Sequence, residues 1–152
     1  MEKKANGRPR LLSKHTNYLL RIGRSRIHRW GVFALEDIPV RRVVIEYTGR
    51  KLSWGQASRI PYAKTIYLAS VKRGYCLDGA VGGSGAQIVN HCCQPNLKAR
   101  RTQGRLFLVS RRKIRAGEEL TFHYHYPTKL RRVLCRCGAA NCRGTLSLIA
   151  VR

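Results

Sequence analysis

Seven consecutive residues, Asn90-His91-Cys92-Cys93-Gln94-Pro95-Asn96, carry the densest chemistry of the chain. They supply amides, an imidazole and two thiols. Pro95 disfavours helix at Gln94, so the segment is expected to bend and to leave backbone groups accessible. An Asn-His pair alone usually makes a turn that its own side chains close. A functional role therefore depends on what the rest of the chain brings to this segment.

A second group of reactive residues lies near the C-terminal end: Cys135, Cys137 and Cys142. This spacing lets three thiolates reach one ion, and a structural zinc ion usually takes four ligands. Cys93 is the favoured fourth ligand, because Cys92 and Cys93 point in opposite directions in an extended chain and only one of them faces the cluster. His91 is the competing candidate. The alternative is that these cysteines are unconnected buried thiols.

The charge of the chain is unusual, since 31 Lys and Arg against 7 Asp and Glu give a formal net charge of +24. Such a chain attracts polyanions, and nucleic acid is an expected partner. A run of about 18 apolar residues, as a membrane span needs, is absent, so no membrane association is expected. The first ten residues lack the apolar core of a secretory signal, which predicts an intracellular protein whose cysteines bind metal rather than form disulfides.

Short apolar segments bounded by Gly, Pro or charged residues predict a mainly β fold that positions these groups. The predicted strands span residues 18–22, 31–34, 43–47, 67–71, 74–78, 105–110 and 119–126. A helix is predicted over residues 51–64, and the glycine-rich stretch 79–86 is predicted to be a loop. Alternation in the last strand places four side chains on one face: Leu120, Phe122, Tyr124 and Tyr126.

In combination these motifs resemble SET-domain protein lysine methyltransferases. The segment from Asn90 resembles the family's Asn-His-Ser-Cys-x-Pro-Asn signature, and the segment from Glu119 to Tyr124 resembles Glu-Leu-Thr-Phe-Asp-Tyr. Residues 29–34 are similar to the motif Gly-x-Gly-Val/Leu-Phe-Ala, and residues 44–49 to the strand that follows it. Cys135-x-Cys-x4-Cys142 matches the post-SET zinc knuckle. The resemblance covers roughly residues 18–145.

The resemblance implies a mainly β SET fold of several small sheets, followed by a C-terminal post-SET segment that binds zinc. Its knot-like crossing would pass the segment at Asn90 beneath the segment around Tyr124. We predict a flexible basic tail at residues 1–17, a SET domain at 18–127, and a post-SET segment with the C-terminal end at 128–152.

The resemblance also implies the site residues and two cofactors, S-adenosyl-L-methionine as methyl donor and structural Zn²⁺. Tyr124 falls on the catalytic tyrosine. The implied cofactor-binding residues are Arg29, Trp30, Gly31, Tyr67, Gln87, Asn90, His91 and Leu134. The implied channel for the substrate lysine consists of Tyr67, Phe122, Tyr124 and Tyr126. The implied zinc ligands are Cys93, Cys135, Cys137 and Cys142.

Phe122 falls on a position where the family carries phenylalanine or tyrosine, and phenylalanine implies more than monomethylation. Four positions depart from the family pattern: Arg29 replaces a glycine, Gln87 an arginine, Cys92 a serine and His123 an aspartate. Tyr124, Asn90 and His91 are all present, which favours an active enzyme.

The implied substrate is a lysine-containing tail or loop of a histone or another basic protein associated with nucleic acid. Two non-enzymatic readings compete with this one: a SET-like zinc module that binds nucleic acid, and a basic zinc protein of the ribosome. The ribosomal protein leaves the strand that carries Tyr124 unexplained, and Tyr124 distinguishes the enzyme from both alternatives. The expected location is the nucleus and chromatin in a eukaryote, or the cytoplasm and nucleoid in a bacterium.

Overall fold

The computed structural model of the protein describes residues 9–61, 67–72, 74–125 and 133–146. Within these ranges the chain forms ten β-strands and one short α-helix. The strands are β1 (Leu20–Arg24), β2 (Trp30–Ala34), β3 (Val43–Tyr47), β4 (Arg50–Ser53), β5 (Leu68–Lys72), β6 (Tyr75–Asp78), β7 (Asn90–His91), β8 (Leu97–Thr102), β9 (Arg105–Ser110) and β10 (Glu119–Phe122), and the helix is α1 (Trp54–Ala57).

The strands make three small sheets, which confirms the predicted mainly β fold of several sheets. Their orders are β1-β2-β10-β7, β3-β9-β8 and β4-β6-β5. Most of the pairs are antiparallel, and β7 runs parallel to β10. Strand β10 thus lies between β2 and β7, so it brings the predicted cofactor loop and the Asn90 segment to one sheet.

One apolar core lies between the first two sheets. Val32 of β2, Val44 of β3, Leu108 of β9 and Leu120 of β10 have no exposed surface. Each such side chain contributes about 1.5–3 kcal/mol relative to leaving it in water. The buried side chains of these strands therefore hold β10 and its neighbours in place.

The predicted crossing brings its two segments side by side. Asn90 and His91 pair in register with Thr121 and Phe122 of β10. The buried side chain of Asn96 fixes the far end of the segment, because its Nδ2 donates to the carbonyl oxygen of Glu119 at 2.8 Å and its Oδ1 accepts from the Thr121 N–H at 2.9 Å. These bonds hold the Asn90 segment along β10.

The helix predicted over residues 51–64 is wrong at its start and is much shorter than predicted. Leu52 pairs with Cys76 in β6, so the first residues belong to a strand. Helix α1 begins only after Ser53, whose side chain accepts from the Gln56 N–H while the Gln56 side chain accepts from the Ser53 N–H. Residues 62–66 lie outside the described residues. No helix in the described ranges is long and apolar enough to cross a membrane.

The strand predicted over residues 119–126 ends at Phe122. The reason is that the N–H of Tyr124 is bonded to a histidine side chain instead of a neighbouring strand. Strand β8 was not predicted, because its lysine and arginines hide the apolar alternation of Leu97 and Ala99.

Of the predicted tail, residues 9–17 are described, and they pack against the fold. The Leu12 N–H donates to the Ser84 carbonyl at 2.8 Å, and Thr16 bridges to Ile45 of β3. The predicted boundary between residues 127 and 128 lies outside the described residues.

Candidate functional site

Asn90 ties three segments of the chain together. Its buried side-chain Nδ2 lies 2.8 Å from Glu119 Oε1 on β10, 2.9 Å from the carbonyl oxygen of Trp30 and 3.1 Å from Ser25 Oγ. The loop that leads into β2 is therefore fixed to the start of β7 through one amide.

Ser25 and Glu119 are site residues that the sequence analysis missed. The Ser25 hydroxyl donates to the Glu119 carboxylate at 2.8 Å, across 94 residues of sequence. A Cβ added at Gly31 would lie only 2.8 Å from Glu119 Cδ, so glycine is needed there for this carboxylate to fit. A carboxylate at the start of an otherwise apolar strand was the signal that could have indicated this role.

The three residues predicted to line the cofactor loop lie at or next to the start of β2. Arg29, which replaces a family glycine, has a φ of 42°, in the left-handed region that glycine adopts most readily. The Trp30 ring packs beneath the Arg24 guanidinium, whose carbon is 4.3 Å from the ring centroid. Gly31 pairs with Gly23 of β1. The loop thus combines an unusual backbone conformation with an aromatic side chain and a charged one.

Tyr124 follows β10 and is held at both ends. Its hydroxyl donates to the carbonyl oxygen of Val89 at 2.6 Å, and its backbone N–H donates to His91 Nδ1 at 2.9 Å. The rings of Tyr124 and Phe122 have centroids 4.9 Å apart, and both are partly buried. The pair makes an aromatic wall in which one hydroxyl has a defined position.

His91 is buried, with 3% of its surface exposed. Burial, assisted by the nearby His123 and Arg143, lowers the pKa of His91 to about 4, so the imidazole is neutral at physiological pH. Because Nδ1 accepts from Tyr124, the proton belongs on Nε2, which lies 3.3 Å from Cys93 Sγ.

Two further histidines, His123 and His125, form a row of ring contacts that begins at His91. The ring centroids of His91 and His123 are 4.9 Å apart, and those of His123 and His125 are 4.7 Å apart. Burial lowers the pKa of both His123 and His125. The His123 Nδ1 is buried and has no hydrogen-bond partner among the described residues, at a position where the family carries an aspartate.

The cysteines form a second centre beside His91. The sulfur atoms of four of them, Cys93, Cys135, Cys137 and Cys142, all lie within 4.8 Å of one another. Four sulfurs at about 2.3 Å from a tetrahedral zinc ion are about 3.8 Å apart. The Sγ atoms of Cys93 and Cys135 are 3.8 Å apart, so the donor set fits zinc. Cys76 is buried in the smaller core of the third sheet instead.

Backbone donors favour a thiolate at Cys137, whereas burial raises the pKa of the neighbouring Cys135. Although burial opposes ionisation, N–H groups of Cys93 and Ala139 lower the pKa of Cys137 to about 6. The Arg143 N–H lies 3.4 Å from Cys93 Sγ. A metal ion binds the thiolate form, so these donors prepare the cluster for a cation.

Three other predicted residues occupy separate parts of the fold. The carbonyl oxygen of Tyr67 accepts from the Tyr47 hydroxyl at 2.6 Å. The Gln87 side chain accepts from the Gly85 N–H at 2.8 Å and so closes its own loop. Leu134 precedes Cys135 and is 62% exposed. Tyr126, predicted for the lysine channel, lies outside the described residues.

Relatives of this chain are histone-lysine methyltransferases. It is 36% identical over 138 residues to the human histone-lysine N-methyltransferase SETD1A and 33% identical over 144 residues to the Caenorhabditis elegans enzyme set-2. These alignments cover 84% and 88% of this chain, but only 8% and 10% of the relatives' own length.

Solved structures share the fold. A structure of KRYPTONITE in complex with mCHG DNA and SAH matches with a TM-score of 0.74 and 27% identity, covering 86% of this chain and 29% of the other. Arabidopsis thaliana SUVH6 in complex with SAM matches with a TM-score of 0.78 and 24% identity, covering 90% and 35%. The SET domain model matches residues 29–125, a stretch that includes the loop before β2, the Asn90 segment and Tyr124. The chain therefore belongs to the SET domain family.

Proposed function

We propose that this chain is a protein lysine N-methyltransferase that uses S-adenosyl-L-methionine. The observation that carries the proposal is the position of Tyr124, whose hydroxyl and backbone N–H are both fixed beside Phe122 and the Asn90 segment. The relatives are histone-lysine N-methyltransferases, and one structural neighbour was solved with SAH, which supports the same reaction.

Methyl transfer requires a neutral lysine amine. Lysine titrates near 10.4 in water, so deprotonation at pH 7 costs about 4.6 kcal/mol. A partly buried aromatic wall of Phe122 and Tyr124 lowers that cost, because it removes water from the ammonium form. Tyr124 orients the amine through its hydroxyl, and the fixed geometry supplies the remaining advantage.

S-adenosyl-L-methionine would supply an electrophilic methyl group on a sulfonium. The loop from Arg29 to Gly31 and the segment of Asn90 and His91 are the residues that would hold it. The close approach of Glu119 requires glycine at position 31 of this loop. Leu134 is an exposed apolar side chain of the size that an adenine ring would cover.

Zn²⁺ would be held by Cys93 and by the three cysteines of the C-terminal knuckle. Its role is structural, since four thiolates leave no open position for substrate. The ion would fix Leu134, next to Cys135, relative to the Asn90 segment. Loss of zinc should therefore also weaken cofactor binding.

The substrate we propose is a lysine in a tail or loop of a histone or another basic protein associated with nucleic acid. A chain with a net charge of +24 repels a basic tail, so either the few acids line the substrate groove or a nucleic acid bridges enzyme and substrate. Both arrangements fit an intracellular protein at chromatin or a nucleoid. Phe122 favours products beyond monomethyl-lysine.

The decisive experiment compares the wild type with Tyr124→Phe, using labelled S-adenosyl-L-methionine and histones or host lysate. We expect the rate to fall by about 100-fold, the usual effect of removing one hydrogen-bonding group from the transition state. Tyr18→Phe, which removes a phenol hydroxyl outside the site, is the control and should keep full activity. Equal labelling by Tyr124→Phe would refute the catalytic role.

The alternative is a non-catalytic SET-like zinc module that binds nucleic acid. It is favoured if neither wild type nor variant labels any protein while the wild type still binds S-adenosyl-L-homocysteine and zinc. Calorimetry with S-adenosyl-L-homocysteine, the product of methyl transfer, therefore separates an inactive module from a misfolded sample.

A further inference from the structure

The sheet β3-β9-β8 has one face in the core and one toward solvent. Leu106 and Leu108 of β9 are 1% and 0% exposed and define the core side. In an antiparallel pair, residues opposite each other share a face. Arg100 lies opposite Phe107, and Lys98 is two residues before Arg100 on the same strand, so these side chains lie on the outer face.

The cations of this outer face are held in place by an aromatic ring. The guanidinium carbon of Arg105 is 4.9 Å from the Phe107 centroid, and that of Arg100 is 6.0 Å away. Both distances are within the range of cation–π attraction. Phe107 is covered by these groups and so is not a free platform on which an unpaired base could stack.

Strands β3, β8 and β9 contain one acidic residue, Glu46, and its negative charge is balanced by neighbouring basic side chains. Arg105 donates to both Glu46 oxygens at 2.8 Å, and His15 lies 3.3 Å from Oε2. Lys98 and Arg100 are exposed and remain available to an external anion.

The positive charge continues past the end of β9. The backbone N–H groups of Arg41 and Arg42 donate to Ser110, and that of Arg111 donates to the Asn96 carbonyl. All three arginines are exposed. A six-residue strand is about 17–20 Å long, and these exposed cations lie along β8 and next to the Ser110 end of β9. We call them the basic band: Arg41, Arg42, Lys98, Arg100 and Arg111.

A tight turn joins β8, which carries Lys98 and Arg100, to β9. Gln103 and Gly104 connect β8 to β9 with φ values of 47° and 73°, the positive pair that a two-residue type I′ turn requires. Among the described residues, these two strands carry no exposed large apolar side chain of the type that anchors protein interfaces.

We propose that the basic band binds the phosphate backbone of a double-stranded nucleic acid without reading its sequence. The covered ring disfavours single strands, and the lack of an apolar anchor disfavours an acidic protein. The proposal concerns binding of a nucleic acid, and it can be tested independently of methyl transfer.

The test is fluorescence anisotropy with a labelled 20-base-pair DNA duplex over a series of salt concentrations. The variant Lys98→Gln/Arg100→Gln removes two phosphate contacts, so the slope of log K against log salt should decrease by about 2, with at least tenfold weaker binding. The control Arg59→Gln/Arg115→Gln removes the same charge from exposed positions outside the band and should leave the slope unchanged.

The proposal is overturned if the two double variants change the slope equally, if neither changes it, or if the wild type does not bind the duplex at moderate salt. Tighter binding of single-stranded DNA, or of polyglutamate, would also overturn it in favour of another partner. Unchanged melting temperatures show that the variants fold. If Lys98→Gln/Arg100→Gln does not fold, Arg111→Gln replaces it, with an expected slope change of about 1. Methylation of a free peptide is measured in parallel and should not change, so a failure of DNA binding is distinguished from a failure of the enzyme.

Discussion

The Tyr124 backbone N–H donates to Nδ1 of the buried His91 over 2.9 Å, although 33 residues separate the two in sequence. The other nitrogen of the ring, Nε2, lies 3.3 Å from Cys93 Sγ. One imidazole therefore connects the residue that follows β10 with the cysteine cluster. The bond requires a neutral ring that carries its proton on Nε2.

This relationship predicts how His91 titrates. Its pKa of about 4 lies below the usual 6.5, so between these values the unfolded chain binds a proton that the folded chain does not. The free energy of unfolding should fall by up to about 3 kcal/mol as pH drops from 6.5 to 4, and this contribution is fully regained above pH 6.5. Imidazole NMR should report the low pKa and the Nε2–H tautomer.

The matched variant for that measurement is His91→Gln, which keeps an acceptor for the Tyr124 N–H but does not titrate. Its stability should depend less on pH than that of the wild type across the same window. An NMR pKa for His91 near 6.5 would contradict the prediction.

Zinc binding should distinguish the two adjacent cysteines. Cys93 belongs to the group of four close sulfurs and Cys92 does not. Cys93→Ser should lose zinc and about 4 kcal/mol of stability, which corresponds to a fall in melting temperature of about 10 °C. Cys92→Ser should keep both. Metal content by mass spectrometry and thermal unfolding measure these effects, and loss of zinc from Cys92→Ser would show that the ligand assignment is wrong.

Gly31→Ala should disturb the loop before β2. The new methyl group would lie 2.8 Å from Glu119 Cδ, and that carboxylate cannot swing away without losing its bonds to Ser25 and Asn90. We expect a loss of about 1–3 kcal/mol in urea unfolding and weaker binding of S-adenosyl-L-homocysteine in calorimetry.

Gly55→Ala is the control for this substitution. Gly55 lies in helix α1, and the atom nearest to its new methyl group is Ser53 Oγ at 3.8 Å. The change should therefore be neutral or slightly stabilising. Equal losses of unfolding free energy in Gly31→Ala and Gly55→Ala would mean that the Glu119 carboxylate moves aside at little cost.

Phe122→Tyr should restrict the product. A hydroxyl added beside Tyr124, whose ring is 4.9 Å away, takes up space that a methylated amine needs in order to rotate. Mass spectrometry of peptide at exhaustive turnover should show di- or trimethyl-lysine with the wild type and mainly monomethyl-lysine with the variant. Only monomethyl-lysine from the wild type would contradict the proposal.

The features that the sequence determined are local ones. Short runs of β-branched and apolar residues were enough to place β3 and β9, whose predicted bounds match the structure. Cysteine spacing was enough to predict a metal knuckle, because three ligands within eight residues can reach one ion whatever fold surrounds them. The motifs around Asn90 and Tyr124 were enough for the family, which the matching SET domain model confirms.

Tertiary structure decided the features that depend on distant segments. Strand β8 has too many cations to show a strand pattern, and it forms because β9 offers it a partner and the core buries Leu97. The bond from Ser25 to Glu119 joins residues 94 positions apart, and the His91 tautomer is set by a backbone donor that only the crossing brings near. Such contacts arise from the packing of whole sheets, so the residues adjacent in sequence do not predict them.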